Sequence, residues 1–170
     1  WTKTTESKLS IEQVGQGARL AFNPSDPDLL LSFAPEVNAE RGLVSIWDFK
    51  KLPLPPSVNV TGDSQPPTQA GVLLHESYGR NAVFNNEGDG LIVGADLRAT
   101  LWNLDRERLA ESRRRRSLFS DGESHRTIAN IVKQIAVLDH GTNIFGLAFS
   151  PDGRYVATSG RGGTTRVWDL

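Results

Sequence analysis

Three histidines, His75, His125 and His140, are the first residues to weigh for chemistry, because an imidazole can move protons or hold a metal. His75 and His140 each stand nine residues before a phenylalanine, Phe84 and Phe149, so they occupy matching places. A His beside an Asp, such as His75 with Asp96, could suggest acid–base work. Nothing else in the sequence completes a catalytic set: no suitably placed Ser, no paired carboxylates in a recognisable motif, and no cysteine anywhere. The histidine spacing lacks a ligand pattern such as H-E-x-x-H, so a metal site is not expected. Ser159-Gly160-Arg161-Gly162-Gly163 is glycine-rich, but a phosphate cradle needs Gly-Lys-Ser/Thr before a helix, and here a strand pattern follows. The expectation is no enzyme activity, no cofactor and no metal.

A second concentration of chemistry is basic. Asp105–Arg116 reads DRERLAESRRRR, six Arg against three acids. The plain reading of Arg113, Arg114, Arg115 and Arg116 is a solvated loop. A nuclear-localisation or nucleic-acid patch is the next reading. The third is regulatory: Arg114-Arg115-Arg116-Ser117 has the form of a basophilic kinase site, and Arg116-Ser117-Leu118-Phe119 that of a cyclin-docking motif. A formal net charge of −1 over the 170 residues gives no global bias toward nucleic acid or membrane, so any such partner must use a local patch. No apolar run approaches the length of a membrane span.

The elements that position these residues repeat. Ala18–Phe49, Asn81–Leu104 and Ile144–Leu170 each hold an apolar strand ending in Phe, a turn of Asn, Asp, Pro or Gly, a second apolar strand, a loop, and a third strand ending at Trp. The turns have a mechanism: Pro151-Asp152-Gly153 combines a fixed φ, a side-chain acceptor and a residue free to take positive φ. Strands are expected at Leu29–Phe33, Leu91–Val93 and Tyr155–Thr158. The spacing between Trp47, Trp102 and Trp168 leaves room for two insertions, Pro-rich at 50–70 and Arg/Ser-rich at 105–130. The prolines favour extended conformations suited to a linker. Asn59-Val60-Thr61 is a glycosylation sequon without secretory context.

LAFSPDGRYVATSG followed by TTRVWDL resembles the repeat of the WD-repeat β-propeller family. The resemblance is closest in the last repeat and weakest in the first. It implies an all-β fold of antiparallel four-stranded blades, about three of a larger ring, with blades at 15–49, 71–104 and 131–170. Residues 1–14, from Trp1 through Ile11, resemble the outer strand of a preceding blade, and three blades fall short of the number that closes a ring. It also implies that His75 bonds Asp96 near Trp102, and that His140, Trp168 and Trp47 are structural. The pattern is broken at Gly162, where the family has Asp, and at Gln13, where it has His.

What the resemblance implies for function is a non-enzymatic protein-interaction scaffold in a multi-subunit complex, intracellular, in cytoplasm or nucleus. Rigid frames bearing variable loops suit recognition. The partners expected are other proteins, seated on one propeller rim, with Arg80, Arg98, Phe145 and Arg161 as candidate contacts. Two alternatives stand beside it. A cullin-type ubiquitin ligase receptor is suggested by Trp47-Asp48-Phe49-Lys50, although Arg41 stands where that motif has Asp. An RNA-binding or RNA-processing subunit would use the Arg run.

Overall fold

The computed structural model describes residues 19–35, 42–48, 69–75, 79–118 and 131–170. Three antiparallel sheets follow one another along the chain. The first orders β1 (Arg19–Phe22), β2 (Leu29–Pro35), β3 (Gly42–Asp48) and β4 (Gln69–His75) side by side. The second does the same with β5 (Gly79–Phe84), β6 (Gly90–Ala95), β7 (Arg98–Leu104) and β8 (Val132–Asp139). The third holds β9 (Ile144–Phe149), β10 (Tyr155–Gly160) and β11 (Thr165–Asp169), three strands among the described residues. Residues 71–75 open the second sequence repeat, yet their strand completes the first sheet by pairing with β3. The segments 1–14 and 50–68 lie outside the described residues.

The middle sheet explains why its strands read as unbroken apolar runs. Successive strand residues point to opposite faces. Leu91 and Val93 pack with Leu29, Leu31, Val44 and Ile46 of the first sheet. Ile92 packs with Ile144 and Val156 of the third. All three residues of Leu91-Ile92-Val93 are therefore buried, each burial worth roughly 1.5–3 kcal/mol. In the four-stranded sheets the register shifts beside the Trp, between Ile46 and Trp47 and between Leu101 and Trp102.

The Arg/Ser-rich segment is not a plain loop. Residues 106–118 form a helix, α1 (Arg106–Leu118). Asp105 caps it, its Oδ1 accepting the Arg108 amide at 2.9 Å, and Glu107 lies in the first turn. The helix has no apolar stripe. Among its described side chains Leu109 reaches the core between the first two sheets, beside Leu104 and Ile131. No helix among the described residues is long and apolar enough to cross a membrane.

Candidate functional site

Each sheet carries one Trp at the end of its third strand, and the cross-strand register puts all three in the same place. Trp47 pairs with Leu30, Trp102 with Leu91 and Trp168 with Val156. Two residues further along the partner strand stand Ser32, Val93 and Thr158. Trp47 Nε1 donates to Ser32 Oγ at 2.6 Å, and Trp168 Nε1 to Thr158 Oγ1 at 3.0 Å. Val93 offers no oxygen, and Trp102 Nε1 is buried without an acceptor among the described residues.

In the third sheet the chain of contacts runs on to His140, which is 1% exposed in the loop between β8 and β9. Its Nδ1 lies 2.7 Å from Thr158 Oγ1. Its Nε2 and Thr142 Oγ1 are buried without hydrogen-bond partners among the described residues, and both crowd against Gly160, where a Cβ would collide with them. Burial, reinforced by the positive charge of Arg166, holds the imidazole below its ordinary pKa, so it is kept neutral. This ring braces the end of the sheet and is sealed from solvent. His75 is the last residue of β4; its side chain lies outside what is described, and so does the expected bond to Asp96. Asp96 sits in the turn between β6 and β7 with φ of 43°, a left-handed conformation that Asp tolerates.

That turn anchors the next blade. The Asp96 carbonyl accepts the Ile144 amide at 2.7 Å, and the Leu97 carbonyl accepts those of His140 and Gly141 at 2.8 and 3.2 Å. Asn143 in turn accepts the Arg161 amide at 2.8 Å. Three loops are thus knit into one rim. Arg98, Arg161 and Arg166 are exposed on it, and Phe145 is 48% exposed beside them. The Arg80 side chain lies outside the described residues. Arg166, which the sequence reading passed over, reaches the Gly141 loop, its Nη2 3.9 Å from where a Cβ on that glycine would stand.

The opposite rim is built from the strand turns and α1. Arg113 is drawn inward: Nε and Nη2 donate to the two carboxylate oxygens of Asp48 at 2.8 and 2.9 Å, and Nη1 to Asp26 at 2.7 Å. Burial alone lowers the pKa of this guanidinium, but hydrogen bonds and charge attraction from Asp48 and Asp26 outweigh it and raise the value. Arg114 remains exposed and pairs with Glu111 at 2.9 Å. The side chains of Arg115, Arg116 and Ser117 lie outside the described residues. The four-arginine run is therefore not one solvated unit, because its first member is a structural clamp. Asp48, within the Trp47-Asp48-Phe49-Lys50 motif of the cullin-receptor reading, is held by that clamp with 2% of its side chain exposed; Lys50 lies outside the described residues.

A family model described as "WD domain, G-beta repeat" matches residues 132–169. That span contains His140, Thr158 and Trp168. Among solved structures, a chain in the crystal structure of the mitotic checkpoint complex aligns with TM-score 0.56 at 12% identity, covering 89% of this chain and 36% of that one. The crystal structure of the C-terminal WD40 domain of Sif2 aligns with TM-score 0.52 at 15% identity, covering 88% and 33%. The three sheets have the fold of β-propeller blades, and residues 132–169 carry a WD repeat. A curated relative, mouse Striatin-4, is 26% identical over 172 residues, 98% of this chain. The chain spans 19% of that relative's length.

The polar residues differ from sheet to sheet. The last sheet has His140, Thr158 and Trp168 in contact, with Gly162 where the resemblance placed Asp. The middle sheet has Trp102 and Asp96, with Val93 where the register of the other two sheets puts a hydroxyl. Sequence reasoning missed Ser32 and Thr158, because strand register rather than sequence spacing brings them to Trp. It missed the Arg113 clamp because Asp26 and Asp48 lie 87 and 65 residues away in the chain.

Proposed function

We propose that this chain is a non-enzymatic protein-interaction scaffold of an intracellular multi-subunit assembly, in cytoplasm or nucleus, and that it seats a partner on the rim carrying the His140 loop. WD-repeat proteins generally act as protein-interaction scaffolds, which supports the class. The observation that carries the choice of rim is mechanical: Arg98, Phe145, Arg161 and Arg166 project from backbone fixed by the hydrogen bonds of Ile144, His140 and Gly141 to the neighbouring blade. A rigid base reduces the ordering cost of binding. The opposite rim spends its best-placed charges internally, on Arg113, Asp26 and Asp48. The reading has no place for catalysis, since the His140 ring is sealed against Thr158.

The test compares affinity-purified complexes of the full-length protein. Phe145→Ala with Arg161→Glu should remove a stoichiometric partner that Glu107→Lys on the opposite rim retains. Loss with Glu107→Lys alone, or purification without any stoichiometric protein, would count against the reading.

A further inference from the structure

We propose that the rim formed by Arg98, Arg161 and Arg166 docks an extended, carboxylate-rich peptide segment of a partner protein. The inference rests on the scaffold reading above and adds the chemistry of the partner.

The cations are available. Arg161 and Arg166 are exposed and have no carboxylate partner among the described residues. Arg98 is held only by Asp139, at 3.8 Å, with both side chains about two-thirds exposed. Such a pair contributes little and is readily exchanged for an incoming carboxylate. Each guanidinium presents a planar fork that matches a carboxylate with two parallel hydrogen bonds.

The backbone placement favours a chain of anions. Arg98 pairs with Asp139 at one end of the His140 loop, Arg166 reaches Gly141 in its middle, and the backbone amide of Arg161 donates to the Asn143 carbonyl at the other end. Arginines borne at successive points of one loop suit carboxylates spaced along an extended chain. Phe145 supplies an apolar contact at the end of the row, where the loop enters β9. Gly162 and Gly163, with φ of 88° and 79°, leave open space above their α-carbons, so a peptide backbone meets no side chain there. RNA fits less well. Among the described residues Phe145 is the one exposed aromatic on this rim, while single-strand binding relies on several stacking rings. Asp139 also interrupts the positive field.

The test selects a random peptide library on the full-length protein and on its Arg98→Gln/Arg161→Gln/Arg166→Gln variant. These exposed substitutions should leave the melting temperature unchanged, which is checked first. Selected peptides should carry two or more Asp or Glu in an extended spacing. Their affinity should fall about tenfold or more in the triple variant and weaken as salt rises. Neutral or basic peptides that are lost on Phe145→Ala would overturn the acidic chemistry while leaving the rim as the docking site. Acidic peptides insensitive to both the triple variant and Phe145→Ala would overturn the proposal and the choice of rim together. A single-stranded oligouridine that binds through the same arginines more tightly than any selected peptide would also overturn it, in favour of nucleic acid.

Discussion

Arg113 and Asp48 form a two-pronged ion pair that fastens α1 to the first blade, with Nε–Oδ2 and Nη2–Oδ1 distances of 2.8 and 2.9 Å. Asp48 belongs to the Trp47-Asp48 end of a repeat, and Arg113 to an insertion 65 residues later. The helix has no apolar stripe of its own, so among the described side chains its docking rests on this guanidinium, on Leu109, and on Arg106, which donates to Ser25 Oγ and the Glu87 carbonyl. Arg113→Met should destabilise the protein by about 3–5 kcal/mol, because the Asp48 carboxylate loses its guanidinium while buried. Arg113→Lys keeps the charge but not the fork, and should fall between parent and Met variant. Adding Asp48→Asn to Arg113→Met should restore part of the loss. Urea denaturation of the four proteins reads all of this; a Met variant within ~0.5 kcal/mol of the parent would mean that α1 is not docked in solution.

A second joint lies between the first two blades at Gly88. Asn23 is buried, accepts the amides of Ser25 and Asp26 on its Oδ1 at 3.0 Å each, and donates its Nδ2 to the Gly88 carbonyl at 2.7 Å. Gly88 has φ of 73°, and a Cβ there would overlap Asn23 Oδ1 and Ser25 Oγ. Gly88→Ala should therefore cost more than the roughly 1 kcal/mol expected for the left-handed backbone alone. Gly153 makes the control, since its φ is 72° and its Cβ would meet nothing within 4 Å. Thermal melting should show a larger loss for Gly88→Ala than for Gly153→Ala; equal losses would remove the argument from close approach.

The repeats were legible because strand, turn and Trp recur with hydrophobic patterning that needs no partner to be seen. Leu91-Ile92-Val93 reads as a buried strand from composition alone. α1 was not legible by that route, since RERLAESRRRRSL has no apolar stripe. Its signals were local ones: Asp105 as a cap, Glu107 in the first turn, and residues that favour helix after them. The rim was legible in part. Arg98, Phe145 and Arg161 could be placed by matching loops, but Arg166 was hidden within a strand pattern. Its approach to Gly141 follows from the packing of the last loop, which spacing does not encode.

His140 should give the protein a measurable acid sensitivity. Burial and the charge of Arg166 keep its folded pKa below the ordinary value of about 6.5. Between the two values the unfolded chain binds the proton and the folded chain does not. Acidification therefore favours unfolding across that interval. The contribution is complete above about pH 6.5 and declines as the pH falls toward the folded value. His140→Gln should lower stability near pH 7.5, through loss of fit around Thr158, and should show a smaller change between about pH 7.5 and 5.5 than the parent. Subtracting the two melting profiles removes the other titrating groups. Parallel profiles would mean that His140 titrates normally and is not sealed.

The three tryptophans permit a test in which one substitution is expected to help and its mirror image to harm. Trp47 and Trp168 each find a hydroxyl, on Ser32 and Thr158, while Trp102 Nε1 is buried opposite Val93 without an acceptor among the described residues. Val93 is fully buried, and Thr has nearly its shape, so Val93→Thr introduces an oxygen where the register of the other two blades puts one. The new hydrogen bond should contribute about 1 kcal/mol, against a desolvation cost for the hydroxyl of similar size. The net change should be neutral to slightly stabilising, which is unusual for a polar group added to a core. Thr158→Val is the reverse experiment. It strips Trp168 Nε1 and His140 Nδ1 of their shared partner at once; the His140–Thr158 contact is buried and the Trp168–Thr158 bond half-buried. Each orphaned group costs about 1–3 kcal/mol, so Thr158→Val should destabilise by at least 2 kcal/mol. Chemical denaturation of the two variants decides the matter. If Val93→Thr destabilises as much as Thr158→Val, the hydroxyl position is not equivalent in the two blades, and the shared register of Trp102 and Trp168 does not carry a shared hydrogen bond.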